Sequence, residues 1–219
     1  MLEQEYTFRL EHSKGVRQTH TGEVDLEYYL YTPVSVRDPG TILVAVHGVS
    51  RRAHAQIEHL GCVAERMGLA MIAPMFSKDA FSDYQRLGRR GRGPRADLAL
   101  IALLDAIGPG HAQKRCLLHG FYGGGQFAHR FVMAHPQRVR AAVISAPGWF
   151  TMPDANSRYP YGLRMNGALP GVRLEPVDFL EVPTLTIVGE LDQQRDRCLR
   201  KVRRVDREQG LTRVGRARR

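Results

Sequence analysis

A glycine-rich turn, Gly120-Phe121-Tyr122-Gly123-Gly124-Gly125, carries the strongest chemical signal in this sequence. It stands between an apolar run suited to a buried strand and a stretch with helical spacing. Where a strand passes directly into a helix, the central residue of such a turn is forced to positive φ and presented at the sheet edge. Glycines two residues to either side are required, because strand and helix approach too closely there for a Cβ. The residue after the centre donates its backbone N–H to a developing oxyanion, and the helix N-terminus adds a favourable dipole. Gly120 and Gly124 have that spacing about Tyr122, with Gly123 as the donor. The usual central residue is a serine nucleophile, and tyrosine stands in its place. A glycine-rich turn of this kind can also cradle a phosphate. A dinucleotide-binding turn, however, belongs near the start of its domain, with an acidic residue after the next strand; this turn follows at least five elements.

Two further segments match by position. His47-Gly48-Val49-Ser50 follows the apolar run 41–46, where the loop donating a second oxyanion N–H belongs, and Val49 is the expected donor. His47 is expected to pack beneath that loop and hold its shape. Gly189-Glu190-Leu191-Asp192 follows the run 185–188. Asp192 thus stands where a triad acid would hold a histidine's tautomer and stabilise its imidazolium. Ser50 and Cys116 are poor alternative nucleophiles, since neither lies on the turn and a strand cysteine is usually inert core.

The elements that must position these residues alternate between strand and helix, which predicts a mostly parallel sheet covered on both faces. Residues 6–10 and 26–31 are expected to form an opening antiparallel pair, the second ended by Pro33. The runs 41–46 (TILVAV), 69–72, 115–118, 139–144 and 185–188 read as buried strands, with 69–72 stopped at Pro74. Residues 56–67, 96–107 and 126–134 have helical spacing; the second is opened by Pro94 and closed by Gly108-Pro109-Gly110. Residues 209–214 resemble the start of a further helix. Residues 147–183 form a long aperiodic connection rich in Gly, Pro and aromatics, expected to be a functional loop or lid. At 219 residues, a single domain spanning 1–219 is expected.

The run 118–134 (LHGFYGGGQFAHRFVMA), continued by His135-Pro136-Gln137-Arg138-Val139, resembles the serine esterase-like α/β hydrolases, in which G-F-S-G-G-G-Q-F, a helix and H-P-x-R-V recur. Residues 146–154 (APGWFTMPD), 159–162 (YPYG), 84–88 (YQRLG) and 95–98 (RADL) are similar to the same group. Within that group the sequence is similar to polyhydroxybutyrate-depolymerase-like and feruloyl-esterase-like proteins, and the likeness runs from about residue 41 onward. It implies an α/β-hydrolase fold and acylation of an elbow nucleophile by a small-molecule carboxylic ester or acyl ligand, with no metal or organic cofactor.

Two departures bear on that implication. A tyrosine oxygen lies roughly 4 Å further from its Cα than a serine oxygen, while oxyanion donors must sit about 3 Å from the developing charge. Tyr122 therefore overshoots the hole, and its ring is expected to fill the acyl pocket. In addition, the fold's chain order is nucleophile, acid, histidine. All nine histidines (His12, His20, His47, His54, His59, His111, His119, His129, His135) precede Asp192. His129 and His135, on the helix after the elbow, are not expected to substitute. A final strand and a histidine-bearing loop are missing from the expected order, so the chain is expected to be truncated at its C-terminus and inactive or crippled. The alternative is a non-catalytic ligand-binding or interaction module on the same fold.

Composition adds bounds. Hydrophobic residues at 43% and charged residues at 25% suit an ordinary globular chain. Cys62, Cys116 and Cys198 are odd in number and scattered, suggesting neither a disulfide framework nor a metal site. There is no signal-peptide pattern and no apolar run long enough for a membrane span, so a cytoplasmic location is expected. Thirty-two Lys and Arg against 22 Asp and Glu give +10, concentrated in 86–95 and 195–219. Those arginines lack interleaved exposed aromatics and any nucleic-acid motif, so neither nucleic acid nor membrane is the expected partner.

Overall fold

The computed structural model describes residues 15–107, 115–165, 167, 169, 171–195 and 199–218. Among the described residues, seven strands form one sheet: β1 (Val16–His20), β2 (Leu26–Tyr31), β3 (Ile42–Val46), β4 (Ala70–Met75), β5 (Cys116–Phe121), β6 (Val139–Ser145) and β7 (Thr184–Ile187). Their spatial order is β1-β2-β4-β3-β5-β6-β7. β1 and β2 pair antiparallel, as do β2 and β4, and the remaining ladders are parallel. Helix α1 (His54–Met67) follows β3, α2 (Ala96–Ala106) follows β4, and α3 (Gly123–Ala134) follows β5. The short helices α4 (Pro176–Leu180), α5 (Arg203–Gln209) and α6 (Arg213–Ala217) complete the fold.

Strand β3 is buried at all five positions because helices cover both of its faces. On one face Ile57 and Ala64 of α1 pack with Leu43, Ala45, Met71 and Ala73. On the other, α2 presents Ala96, Ala99, Leu100, Leu103 and Leu104, spaced as one helical stripe, to a core shared with Phe127 and Phe131 of α3. The chain runs from β3 to β4 on one side of β3, then crosses to β5 on the other. The order therefore reverses between β3 and β5, and in open α/β sheets the crevice beyond the strand ends at such a point is where ligands bind. The loop after β3 and the turn after β5 both open there.

Several elements differ from the sequence reading. At the sheet edge β2 pairs antiparallel with Val16–His20; residues 6–10 lie outside the described part. β4 continues through Pro74 to Met75. Its ladder with β3 ends at Ile72, so the missing proline N–H removes no bond on that side. β5 extends to Phe121 and α3 begins at Gly123, bringing both directly to the turn. Residues 209–214 do not open one helix: Gly210, at φ 106, ends α5, and Thr212 caps α6 by accepting from the Gly215 N–H at 3.1 Å. No helix among the described residues is long and apolar enough to cross a membrane.

Candidate functional site

Tyr122 holds φ 50° and ψ −104°, the only residue between strand β5 and helix α3. Its N–H donates to the Ser145 carbonyl at 2.9 Å and its carbonyl accepts from Gln126 at 3.1 Å, which ties the turn to β6 and to the helix. The glycines leave no other geometry. A Cβ on Gly120 would stand 2.2 Å from the Gly124 oxygen, and one on Gly124 would stand 2.1 Å from the Val46 oxygen. A non-glycine residue at positive φ costs about 1–3 kcal/mol and persists only where its surroundings enforce it. Here three strands and a helix do so.

The loop after β3 faces this turn. A Cβ placed on Gly48 would lie 3.5 Å from the Tyr122 Cβ, and one on Gly123 would lie 3.3 Å from the Val49 nitrogen. Val49 and Gly123 are thus brought together at the head of α3. His47 is fully buried beneath the loop. Its Nδ1–H donates to Gly48 O at 2.8 Å and its Nε2 accepts from the Phe76 N–H at 3.0 Å. Burial lowers its pKa to about 4, so it is neutral at pH 7 and clamps backbone to backbone. Tyr84 supports the same loop, its hydroxyl donating to His47 O at 3.0 Å.

Asp192 lies in the turn after β7, its N–H donating to Gly189 O at 3.0 Å. Its carboxylate accepts from Arg213 Nη1 at 2.9 Å, with side-chain exposures of 20% and 1% respectively. The Arg213 guanidinium carbon sits 4.7 Å from the centroid of the Tyr122 ring. Phe121 packs on the same ring, at 4.2 Å between centroids. One guanidinium therefore links the Asp192 carboxylate to the ring of the turn residue Tyr122. Arg213 went unnoticed in the sequence because it sits in a basic stretch without periodicity. That stretch reads as a solvated surface, yet Arg213 and Arg216 are 1% and 2% exposed.

The histidines of the neighbourhood are otherwise engaged. His129 Nδ1–H donates to Gly125 O at 3.1 Å and its Nε2 accepts from the Thr151 N–H at 3.0 Å. Burial, with Arg130 adjacent, holds it far below the ordinary histidine range. His135 pairs with Asp97 at 2.8 Å, where Arg95 also binds. Burial would raise the Asp97 carboxyl, but the bonds from Arg95 and His135 outweigh it and keep the pKa below the usual value. His119 Nε2 lies 3.0 Å from Ser145 Oγ, and the two line a cavity of about 370 Å³ on the α1 face. Burial lowers His119 to about 4, a weak base, and its Nδ1 is buried without a hydrogen-bond partner to orient it. The Cys116 thiol is buried and pushed up to about 12, so it is no thiolate at neutral pH.

A larger cavity, about 660 Å³, opens on the α3 face of β6 and β7 rather than at the elbow. Met133, Phe150, Phe179, Leu180 and Thr186 are among its walls. Tyr122 does not line it; the ring that was expected to fill an acyl pocket packs instead on Phe121 and Arg213.

No protein-family model matches the chain, and no curated protein matches it in sequence. Solved structures do. Poly(aspartic acid) hydrolase-1 from Sphingomonas sp. KT-1 aligns with TM-score 0.78 and 24% identity, covering 94% of this chain and 83% of that one. The poly(3-hydroxybutyrate) depolymerase LpqC from Bordetella parapertussis aligns with TM-score 0.74 and 23% identity, covering 96% and 77%. S-formylglutathione hydrolase from Staphylococcus aureus aligns with TM-score 0.53 and 13% identity, covering 82% and 80%.

Proposed function

The chain has the α/β-hydrolase fold, and on that premise we propose that it derives from carboxylic-ester hydrolases while being itself inactive or severely crippled. The observation that carries this reading is Arg213, packed between the Asp192 carboxylate and the Tyr122 ring. Acylation of an elbow nucleophile requires a base to take its proton. A guanidinium stays protonated in proteins and offers no acceptor atom, so Arg213 cannot do this. Tyr122 for its part overshoots the point where Val49 and Gly123 could serve a tetrahedral oxyanion. Val49 and Gly123 are the remnant of the oxyanion hole in this reading, and Asp192 is the remnant of the triad. No metal or organic cofactor enters such chemistry.

A second reading rests on the 660 Å³ apolar cavity: the chain retains a small-molecule ester or acyl ligand without turning it over. Short-chain nitrophenyl esters and a fluorophosphonate label separate the two readings from a working enzyme. The unmodified chain and Tyr122→Ser should both stay near the buffer rate, with Tyr122→Ser/Arg213→His above them. Turnover by the unmodified chain at an ordinary enzymatic rate, about 1–10³ s⁻¹, would overturn the crippled reading. Saturable binding of an uncleaved ester analogue, lost on Phe179→Asp, would favour the ligand-binding one.

A further inference from the structure

Trp149, 3% exposed, is ringed by three guanidiniums. The Cζ of Arg130 lies 4.3 Å from its ring centroid, that of Arg86 5.7 Å and that of Arg200 5.8 Å. The other buried arginines each have a carboxylate: Arg213 has Asp192, Arg216 has Asp206, and Arg138 has Asp105. Among the described residues, Arg86, Arg130 and Arg200 have none. Asp83 reaches Arg86 only through its field.

Arg130 is fully buried. Its Nε donates to Thr151 Oγ1 at 2.8 Å, and its Nη1 donates to Gln85 O at 2.7 Å and Gln126 O at 3.1 Å. Its Nη2 is buried with no hydrogen-bond partner. Arg200 donates from Nη2 to the Tyr161 hydroxyl at 3.3 Å, and its Nε is likewise buried without a partner. Burial first, with the charges of Arg86 and Arg200 adding to it, lowers Arg130 to about 10. A buried charged donor left unsatisfied is costly, and one aromatic face compensates only part of three like charges. The planar N–H forks of arginine match the oxygens of a carboxylate or phosphate. Arg86 and Arg200 are each partly exposed, at the solvent side of the buried Arg130.

We propose that Arg86, Arg130 and Arg200 around Trp149 form a binding site for an oxyanion, either a carboxylate or a phosphate group. Trp149 is the single tryptophan of the chain, so its fluorescence reports the site directly. The unmodified chain is titrated with succinate and with inorganic phosphate at constant ionic strength, against sodium chloride. A saturable change in emission is expected with at least one oxyanion and not with chloride. The tighter arm identifies the class. Arg86→Gln and Arg200→Gln should each weaken binding at least tenfold. Arg204→Gln, whose guanidinium stacks on Tyr161 at 5.3 Å instead, should leave it unchanged. Should either variant fail to fold, Arg200→Lys keeps the charge and removes the fork, and is expected to bind several-fold more weakly. The absence of any saturable response in the unmodified chain, or equal affinity in the folded Arg86 and Arg200 variants, overturns the site. The readout is emission and not turnover, so its failure leaves the elbow reading untouched.

Discussion

Removing the Arg213 guanidinium should cost this protein a large share of its stability, and the cost should be shared with Asp192. The pair meets at 2.9 Å with side-chain exposures of 1% for Arg213 and 20% for Asp192. Breaking a buried pair by deleting one partner costs about 3–5 kcal/mol, because the other charge is left uncompensated. The residual exposure of Asp192 lets water reach it, which points to the lower end, about 3 kcal/mol. The contact with the Tyr122 ring at 4.7 Å adds about 1 kcal/mol in a partly desolvated setting. Arg213→Met, which keeps the apolar stem packed, should therefore destabilise by about 4 kcal/mol, against a total of about 5–15 kcal/mol for a typical domain. In a chain of this size that corresponds to a fall in Tm of about 8–16 °C. Urea unfolding followed by far-ultraviolet circular dichroism measures it. Asp192→Asn alone should cost about 3 kcal/mol, and the double variant little more than either single, a coupling of about 3 kcal/mol. One molar salt should leave the coupling nearly intact, since a buried pair is poorly screened. Additivity of the two substitutions within about 0.5 kcal/mol would refute the reasoning.

Acid should weaken the fold before the carboxylates titrate. Burial holds His47 and His119 at about 4, and holds His129 well below its ordinary value, whereas the unfolded chain binds those protons near pH 6.5, about the free histidine value. The unfolded state then carries more protons in that window, so stability is complete above pH 6.5 and is lost as pH falls toward 4. A urea midpoint flat across pH 6.5 to 4 would contradict this. Gly124→Ala would put a methyl group 2.1 Å from the Val46 oxygen and should destabilise by about 3 kcal/mol; an unshifted melting curve would mean strand and helix can separate freely there. Asp97→Asn removes a fully buried carboxylate held by Arg95 and His135, and thermal melts at pH 7 should show a loss of about 3 kcal/mol. Because the Asp97 pKa is lowered in the fold, its contribution is present above the ordinary carboxylate pKa and vanishes in strong acid.

The parallel sheet and its turn were legible because their signals are local. A run such as residues 42–46 admits few readings, and glycines flanking Tyr122 report a backbone approach that only glycine allows. β1 was not legible: Val16–His20 reads VRQTH, an edge strand whose first residues are exposed and which carries no hydrophobic alternation. Pro74 misled because a proline ends a strand only where its missing N–H is needed. The arginines misled most. Arg213 and Arg216 are each less than 3% exposed, but burial of a cation depends on partners distant in sequence, and nothing in a basic stretch announces which of its members finds an aspartate.

The elbow also bears on how this gene can change. Its shape is enforced by Gly120 and Gly124, not by the residue between them, so drift at codon 122 leaves the scaffold intact. Tyrosine and serine codons can differ at their middle base alone, and arginine and histidine codons likewise. The two changes are unequal in cost on the same frame: the first leaves the glycine-set turn standing, whereas the second gives up the buried Arg213–Asp192 pair.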